Sequence, residues 1–596
     1  MSKLHYTLDF QRFREHLADV SLTFTAHTDN PTVWLPTWIA GSYLIREFAK
    51  NITALTAKIG DKTQRCKKIH KNAWQILAKQ GDIITVNYEV YAYDLSVRTA
   101  YFDQTRLYGN FSALAVAILG QENAPILVEL ICPNAFLQSP YHDGFEPTLA
   151  TALPDKMHQQ RTQTIYQLTA NNYEELTDSP FEIAVQDGFE FEVFDQYKQP
   201  ILHRFLLSGK HSAYLERLHD DIAKICQFYV DWLGDTPFDD YTFMTLATGN
   251  DYGGLEHLSS TSLVTPRDDL PSYQEKAEPS DNYQTFLGLC SHEYFHAWWV
   301  KTVCPSAIEN PDLNQLFSRE TDTNLLWVFE GFTSYFDDFV LQASGVISQD
   351  SYLNLLAKQI NRYFQTQGRE LQTLAESGYD AWLKLYRPDE NSANAGVSYY
   401  NKGALVALCL DLTLKQHGKR LLNVVKHFYQ LAKQNPSAKF GMTDDNVNSV
   451  MCEFLPKQVW DNFRENYIDG LTELPLYELL SENGISIKQR FENLAFGIKA
   501  IDEPYGLKIQ RVLRNSQASQ AGLSANDVLL AFDNIKASEK MLKQLALNQG
   551  EDDEILCHFF RRDELMQTCI QGGGSPRFEI WQLTATEKLE FLAKCV

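Results

Sequence analysis

Polar and apolar residues alternate along Leu4–Phe10 and Val20–Thr25, and again around Ile83–Tyr93 and Ile126–Cys132. A two-residue period of this kind marks half-buried strands. Turn signals such as Asn30-Pro31 and Pro133-Asn134 separate the runs. Residues 1–180 therefore predict an N-terminal β domain, a sandwich or saddle-shaped sheet. After about residue 215 the period changes: Leu215, Leu218, Ile222, Ile225, Tyr229 and Leu233 line one face of a helix predicted over Tyr214–Leu233. Strands are expected at Tyr241–Ala247 and Ser260–Val264 on either side of a Gly-containing loop. Helices follow over Asn282–Val300, Leu325–Ser344, Asp350–Gln367 and Gly403–Lys415. Residues 485–575 return to short strands with Gly turns, and the tail Phe578–Val596 reads as short and mixed. The pattern as a whole predicts a multidomain α+β chain: a β domain over 1–180, a mostly α domain over 181–485, and a small β-rich domain with a tail over 486–596.

Composition narrows the function classes. The chain has 596 residues, 44% hydrophobic and 22% charged, which are globular proportions. Its net charge of −23 removes the general electrostatic drive toward nucleic acid, since phosphate binding needs clustered Lys and Arg. Asp9, Arg12, Arg14 and Glu15 stand where a secretory apolar stretch would lie. No run of about 18 uncharged apolar residues occurs, so no membrane-spanning helix is expected. The ten cysteines are scattered with no C-x-x-C pair, as in reduced cytoplasmic proteins. A cytoplasmic location is the resulting expectation.

The chemically informative string is His292-Glu293-Tyr294-Phe295-His296. On a helix, two His four residues apart lie on one face, so both rings reach one ion. Zn²⁺ accepts imidazole nitrogen, and Glu293 is placed to act as a general base on a metal-activated water. A catalytic zinc needs a third protein ligand. Glu330, in Leu326-Trp327-Val328-Phe329-Glu330-Gly331-Phe332-Thr333, is a carboxylate within an otherwise apolar helix start, a position that is costly unless the charge is paired or on a metal. Asp337, two turns further along the same face, is a candidate to hold a ligand His by hydrogen bonding; an exposed carboxylate beside Asp338 is the alternative.

H-E-x-x-H followed by a helix carrying E-G-F-T resembles the gluzincin metallopeptidases, the clan of thermolysin and aminopeptidase N. Three more strings resemble the glycyl aminopeptidase family within it. They are Asp251-Tyr252-Gly253-Gly254-Leu255-Glu256-His257, Tyr399-Tyr400-Asn401-Lys402-Gly403, and Trp38-Ile39-Ala40-Gly41-Ser42-Tyr43-Leu44-Ile45-Arg46. The last departs from the family at Ala40, where Pro is usual. The resemblance implies a thermolysin-like catalytic domain with one zinc per chain on His292, His296 and Glu330. It also implies that Glu256 holds the free α-ammonium of a peptide and that Tyr400 stabilises the oxyanion, with Tyr399 a rival for that role. Gly253 and Gly254 would let a substrate backbone approach an edge strand. His257 reads as structural, and Glu182 is a further candidate for contact with the amine. In the C-terminal segment, Ala495-Phe496-Gly497-Ile498 and the run from Ala521 to Leu529 resemble PDZ domains, with a helix expected over Ser538–Asn548.

The expected function is a zinc aminopeptidase acting on peptides, with small N-terminal residues such as Gly or Ala preferred if it follows its family. The alternatives are a zinc endopeptidase, in which Glu256 holds no amine, and a non-catalytic protein that binds a peptide in the PDZ-like groove.

Overall fold

The computed structural model describes residues 3–435, 439–548, 550 and 552–592. Alternating residues at the N-terminus pair as their period predicts. Leu4–Asp9, Leu17–Thr25, Ile83–Tyr91 and Ile126–Pro133 lie in one eight-stranded sheet, and two four-stranded sheets complete a β-rich domain. The inward positions of those strands, among them Tyr6, Leu8, Val20, Leu22 and Val86, are buried in one apolar core.

The second domain begins with a mixed five-stranded sheet. Its strands are β1 (Gln186–Phe194), β2 (Pro200–Ser208), β3 (Asp240–Thr248), β4 (Gly253–Glu256) and β5 (Ser260–Pro266), in the order β1-β2-β3-β5-β4. β4 is thus an edge strand, antiparallel to β5. Helices α1 (Leu215–Leu233), α2 (Asp281–Phe295), α3 (Leu326–Ala343), α4 (Gln349–Phe364) and α5 (Asn401–Gln416) follow, buried in a second core that includes Phe286, Trp298, Trp299, Phe332 and Leu405. α3 and α5 cross glycine to glycine: a Cβ on Gly331 would lie 2.7 Å from the Cα of Gly403. That close approach places the start of α5, with Tyr400, beside Glu330.

α2 ends at Phe295, not at Val300 as the apolar run suggests. The chain leaves the helix with Val300 at φ 123°, and Val303 N–H bonds Trp298 instead of Trp299. The carbonyl of Trp299 is released from the helical ladder and turned toward His296.

Several contacts dock the domains together. Trp38 donates Nε1–H to the carbonyls of Leu316 (3.0 Å) and Arg319 (2.9 Å) and packs edge-on against Trp382. The Tyr108 hydroxyl, which donates to the Val97 carbonyl at 2.7 Å, accepts from Ser262 Oγ at 3.0 Å.

The C-terminal segment has its own small core around Phe496, Leu507, Leu529 and Ile555. β6 (Ser486–Asn493) precedes a sheet of β7 (Ile498–Glu503), β8 (Gly506–Val512), β9 (Val528–Phe532), β10 (Glu554–Arg561) and β11 (Glu564–Gln571), ordered β7-β8-β9-β10-β11, with α6 (Glu539–Asn548) before β10. The tail is not irregular: Arg577–Thr584 forms β12, which pairs with β6 and returns the chain to the helical domain. Trp581 exchanges two backbone hydrogen bonds with the Asn361 amide (3.1 and 2.7 Å), and the Phe591 carbonyl accepts from Arg420 at 2.8 Å. Trp581, Leu583 and Phe591 join the core of the helical domain. Among the described residues no helix is long and apolar enough to cross a membrane, and the cysteines are free thiols.

Candidate metal centre and peptide cleft

One turn of α2 presents His292 and His296 on the same face, their rings perpendicular with centroids 4.7 Å apart. Each ring is fixed through Nδ1: His292 to Asp337 Oδ2 at 3.0 Å, His296 to the carbonyl of Trp299 at 2.9 Å. A carbonyl only accepts, so His296 carries its proton on Nδ1 and offers the Nε2 lone pair to the site. Asp337 orients His292 in the same way.

Both Nε2 atoms face one oxygen of Glu330, Oε2, at 3.5 and 3.4 Å. That oxygen is buried and receives no hydrogen bond. An orphaned carboxylate oxygen in the core is expensive unless a cation reaches it. Two ligands about 2.0–2.1 Å from a tetrahedral ion are roughly 3.3 Å apart, close to the observed separations. Two imidazoles and a carboxylate therefore fit a divalent metal of zinc type. Burial by itself would push the Glu330 carboxyl up, but the imidazoles outweigh it and hold it at about 2. Burial lowers both histidines' affinity for protons, while Asp337 and Glu330 at His292, and Glu330 at His296, more than offset this and raise them.

Glu293 follows His292 on α2. Burial pushes its carboxyl up to about 7, against the opposing pull of His292 and His296. Its Oε2 has no protein partner. Gly254 of β4 lies against it so closely that a Cβ there would fall 2.2 Å from Glu293 Oε1. A side chain at 254 would displace the Glu293 carboxylate. Glu256, two residues along the same strand, is also buried, with Oε1 unpartnered. Ligand atoms of Glu256, Glu293 and His296 all lie within 4.8 Å of one another. The N-terminal domain closes this end: Gly41, at φ 85°, presses on the Glu256 carboxylate, and a Cβ there would approach Oε1 to 2.2 Å.

Tyr400 stands at the first turn of α5 and lines the cleft with His292 and Glu293. Its ring centroid is 6.2 Å from that of His292, and its hydroxyl is 3.4 Å from the hydroxyl of Tyr386. Burial raises its pKa well above the ordinary phenol value, so the hydroxyl keeps its proton and remains a donor. Tyr399 stacks on Tyr400 at 4.7 Å, but its hydroxyl is buried without a partner and does not line the cleft.

His257 is buried behind the cleft with Nδ1 3.3 Å from Asp178, which also takes Lys301 Nζ at 2.7 Å and Leu258 N–H at 2.9 Å. This network pins the chain just beyond Glu256. Glu182 is not brought to the site: Arg106, Ser208 (2.9 Å) and Gln186 (2.7 Å) satisfy its carboxylate elsewhere. Two residues that no local pattern flags stand at the site, Arg98 lining the cleft and Tyr386 behind Tyr400. Arg98, from the N-terminal domain, donates to the Gly254 carbonyl at 2.9 Å, and Tyr386 links Tyr400 to Gly41.

Family models for the Peptidase M61 N-terminal domain and for M61 glycyl aminopeptidase match residues 5–185 and 285–406. An aminopeptidase N family protein from Idiomarina loihiensis is 35% identical, with 98% of each chain covered and a TM-score of 0.88. An M1 zinc metallopeptidase from Deinococcus radiodurans is 13% identical over 80% of this chain and 94% of that one, with a TM-score of 0.48. No curated protein matches the sequence.

Proposed function

The chain belongs to the M61 glycyl aminopeptidase family of metallopeptidases, and from that premise we propose that it is a zinc-dependent aminopeptidase releasing small N-terminal residues from peptides. The observation that carries this reading is the unpartnered Glu256 carboxylate, buried at the closed end of the cleft within 4.8 Å of Glu293 and His296. A carboxylate so placed suits an α-ammonium one residue from the scissile carbonyl. Gly41 packs directly against that carboxylate, where a Cβ would fall 2.2 Å from Oε1.

His292, His296 and Glu330 would hold one zinc per chain. When bound, the metal supplies Lewis-acid polarisation and lowers the pKa of water. Glu293 accepts a proton from the attacking water at its carboxylate and delivers it to the departing amine. Tyr400 donates its hydroxyl to the oxyanion that develops on the substrate carbonyl, a contact stronger in the transition state than in the ground state. Glu256 fixes the ammonium, and the bare backbone of Gly254 admits the substrate beside Glu293. Asp337 keeps Nε2 of His292 directed at the metal.

The C-terminal segment we read as PDZ-like, supported by the sheet of β7 to β11, the flanking α6 and the Ala495–Ile498 loop. Two N–H groups of that loop are already occupied, Phe496 by Ser575 Oγ at 3.1 Å and Gly497 by the Leu494 carbonyl at 2.8 Å. This disfavours capture of a peptide carboxylate there.

Aminoacyl anilides of Gly, Ala and Leu, assayed beside N-acetylated peptides, test the reading. Turnover should require a free amine and cease on chelation. Equal cleavage of acetylated peptides would establish an endopeptidase instead.

A further inference from the structure

The cleft continues past the metal ligands away from Glu256, and its far part is cationic in a chain of net charge −23. The whole cleft, about 490 Å³, takes its cations from Arg98, Lys402, and Lys358 and Arg362 on α4, beside Gly254 on β4 and Tyr252 just before that strand. Lys402 is only 1% exposed, yet its ammonium has no hydrogen bond or ion pair among the described residues. Burial pulls it down to about 8, with Glu473 opposing and Arg369 adding to the effect. Arg98 is likewise undersaturated: Nη2 holds the Gly254 carbonyl at 2.9 Å, while the buried Nε has no partner. A Cβ on Gly253 would lie 3.8 Å from Arg98 Nη1, so the guanidinium lies alongside the Gly253-Gly254 backbone. The carboxylates facing the cleft opposite these cations, Asp337 and Asp338, are engaged by His292 and by Gln359 at 2.7 Å.

Position along β4 decides what these cations meet. A peptide with its ammonium at Glu256 runs along the open edge of β4 toward Tyr252. At about 3.3 Å per residue, the carboxylate of a dipeptide reaches the level of Gly254, and that of a tripeptide the level of Gly253. Arg98 spans both levels. A guanidinium anchored through Nη2, with Nη1 making no hydrogen bond among the described residues, is suited to a carboxylate.

We propose that Arg98, with Lys402 as a second cation deeper in the cleft, binds the free α-carboxylate of the departing product, so that the enzyme selects di- and tripeptides. The proposal rests on the aminopeptidase reading and gives the N-terminal domain a direct role in substrate choice.

The test compares kcat/KM for Ala-Ala, Ala-Ala amide, Ala-Glu amide and N-acetyl-Ala-Ala in the zinc-loaded full chain and in Arg98→Gln. Wild type should favour the free acid over the amide by about tenfold or more. Arg98→Gln should reduce that preference by at least about tenfold, at unchanged zinc content and circular dichroism. Lys402→Met should lower it in the same direction; because that position is buried, Arg98→Gln decides the matter if Lys402→Met does not fold. Equal rates for acid and amide in wild type would overturn the subsite. An advantage restored in Ala-Glu amide would show that a side-chain carboxylate is read, and would overturn the length selection. Cleavage of N-acetyl-Ala-Ala would instead remove the aminopeptidase premise, a separate outcome.

Discussion

Glu293→Gln changes one proton acceptor and almost no volume, at a position where Gly254 leaves no slack. Its first expected effect is on turnover. A general base contributes about 10²–10⁴ in rate, so kcat/KM on an alanyl anilide should fall at least about 100-fold while zinc is retained. Its second effect follows from the cost of burying the carboxylate. The carboxyl is raised from 4.5 to about 7, which corresponds to at most about 3 kcal/mol. The folded chelated protein holds this proton more tightly than the unfolded chain does. Stability from this group is therefore fully present below pH ~4.5, is lost as pH rises toward about 7, and stays lost above it. Glutamine does not titrate. In the chelated state the variant should exceed wild type in stability at pH 8 by up to about 3 kcal/mol, and the gap should close toward pH 5. Denaturant unfolding in EDTA at the two pH values measures the gap, and metal analysis checks the site. Activity within tenfold of wild type, or a stability gap that does not grow with pH, would refute the assignment of Glu293 as a buried base.

Three other outcomes are expected. Asp337→Asn removes the carboxylate that orients His292 and should weaken zinc binding by roughly 10–100-fold, read by competition with a chromophoric chelator. Tyr400→Phe should lower kcat by about 10²–10³ with little change in KM, whereas Tyr399→Phe should leave kcat near wild type; the reverse pattern would reassign the oxyanion donor. His292 and His296 are held above the ordinary imidazole range without a metal, and a metal must displace those protons. Zinc retention on dialysis should therefore fall steadily from pH 8 to pH 5.5, and flat retention would contradict the ligand set.

The sequence by itself determined what is local. The four-residue interval between His292 and His296 fixes a shared helix face, and the apolar run around Glu330 marks a carboxylate that needs a cation, because helical geometry and the cost of burying charge act within a few residues. Strand alternation fixed the β character of the N-terminal domain in the same way. Only the tertiary structure decided the rest. The helix predicted to reach Val300 stops at Phe295, and the turn that follows brings the Trp299 carbonyl to His296; Phe578–Val596 carries no strong period although Trp581 and Phe591 are built into the helical core. Arg98 and Gly41 lie in the N-terminal domain, more than 150 residues before Gly254 and Glu256; the string around Gly41 stands out by resemblance, but nothing local tells that it meets Glu256, and nothing around Arg98 announces a cleft. Glu182 and Glu256 are both buried carboxylates, yet one is neutralised by Arg106 and the other is left unpartnered beside Glu293 and His296. The net charge of −23 gave no hint of the cations that line the far cleft. Charge and periodicity are properties of neighbours in the chain, whereas a binding site depends on which distant side chains folding leaves unpaired at one place.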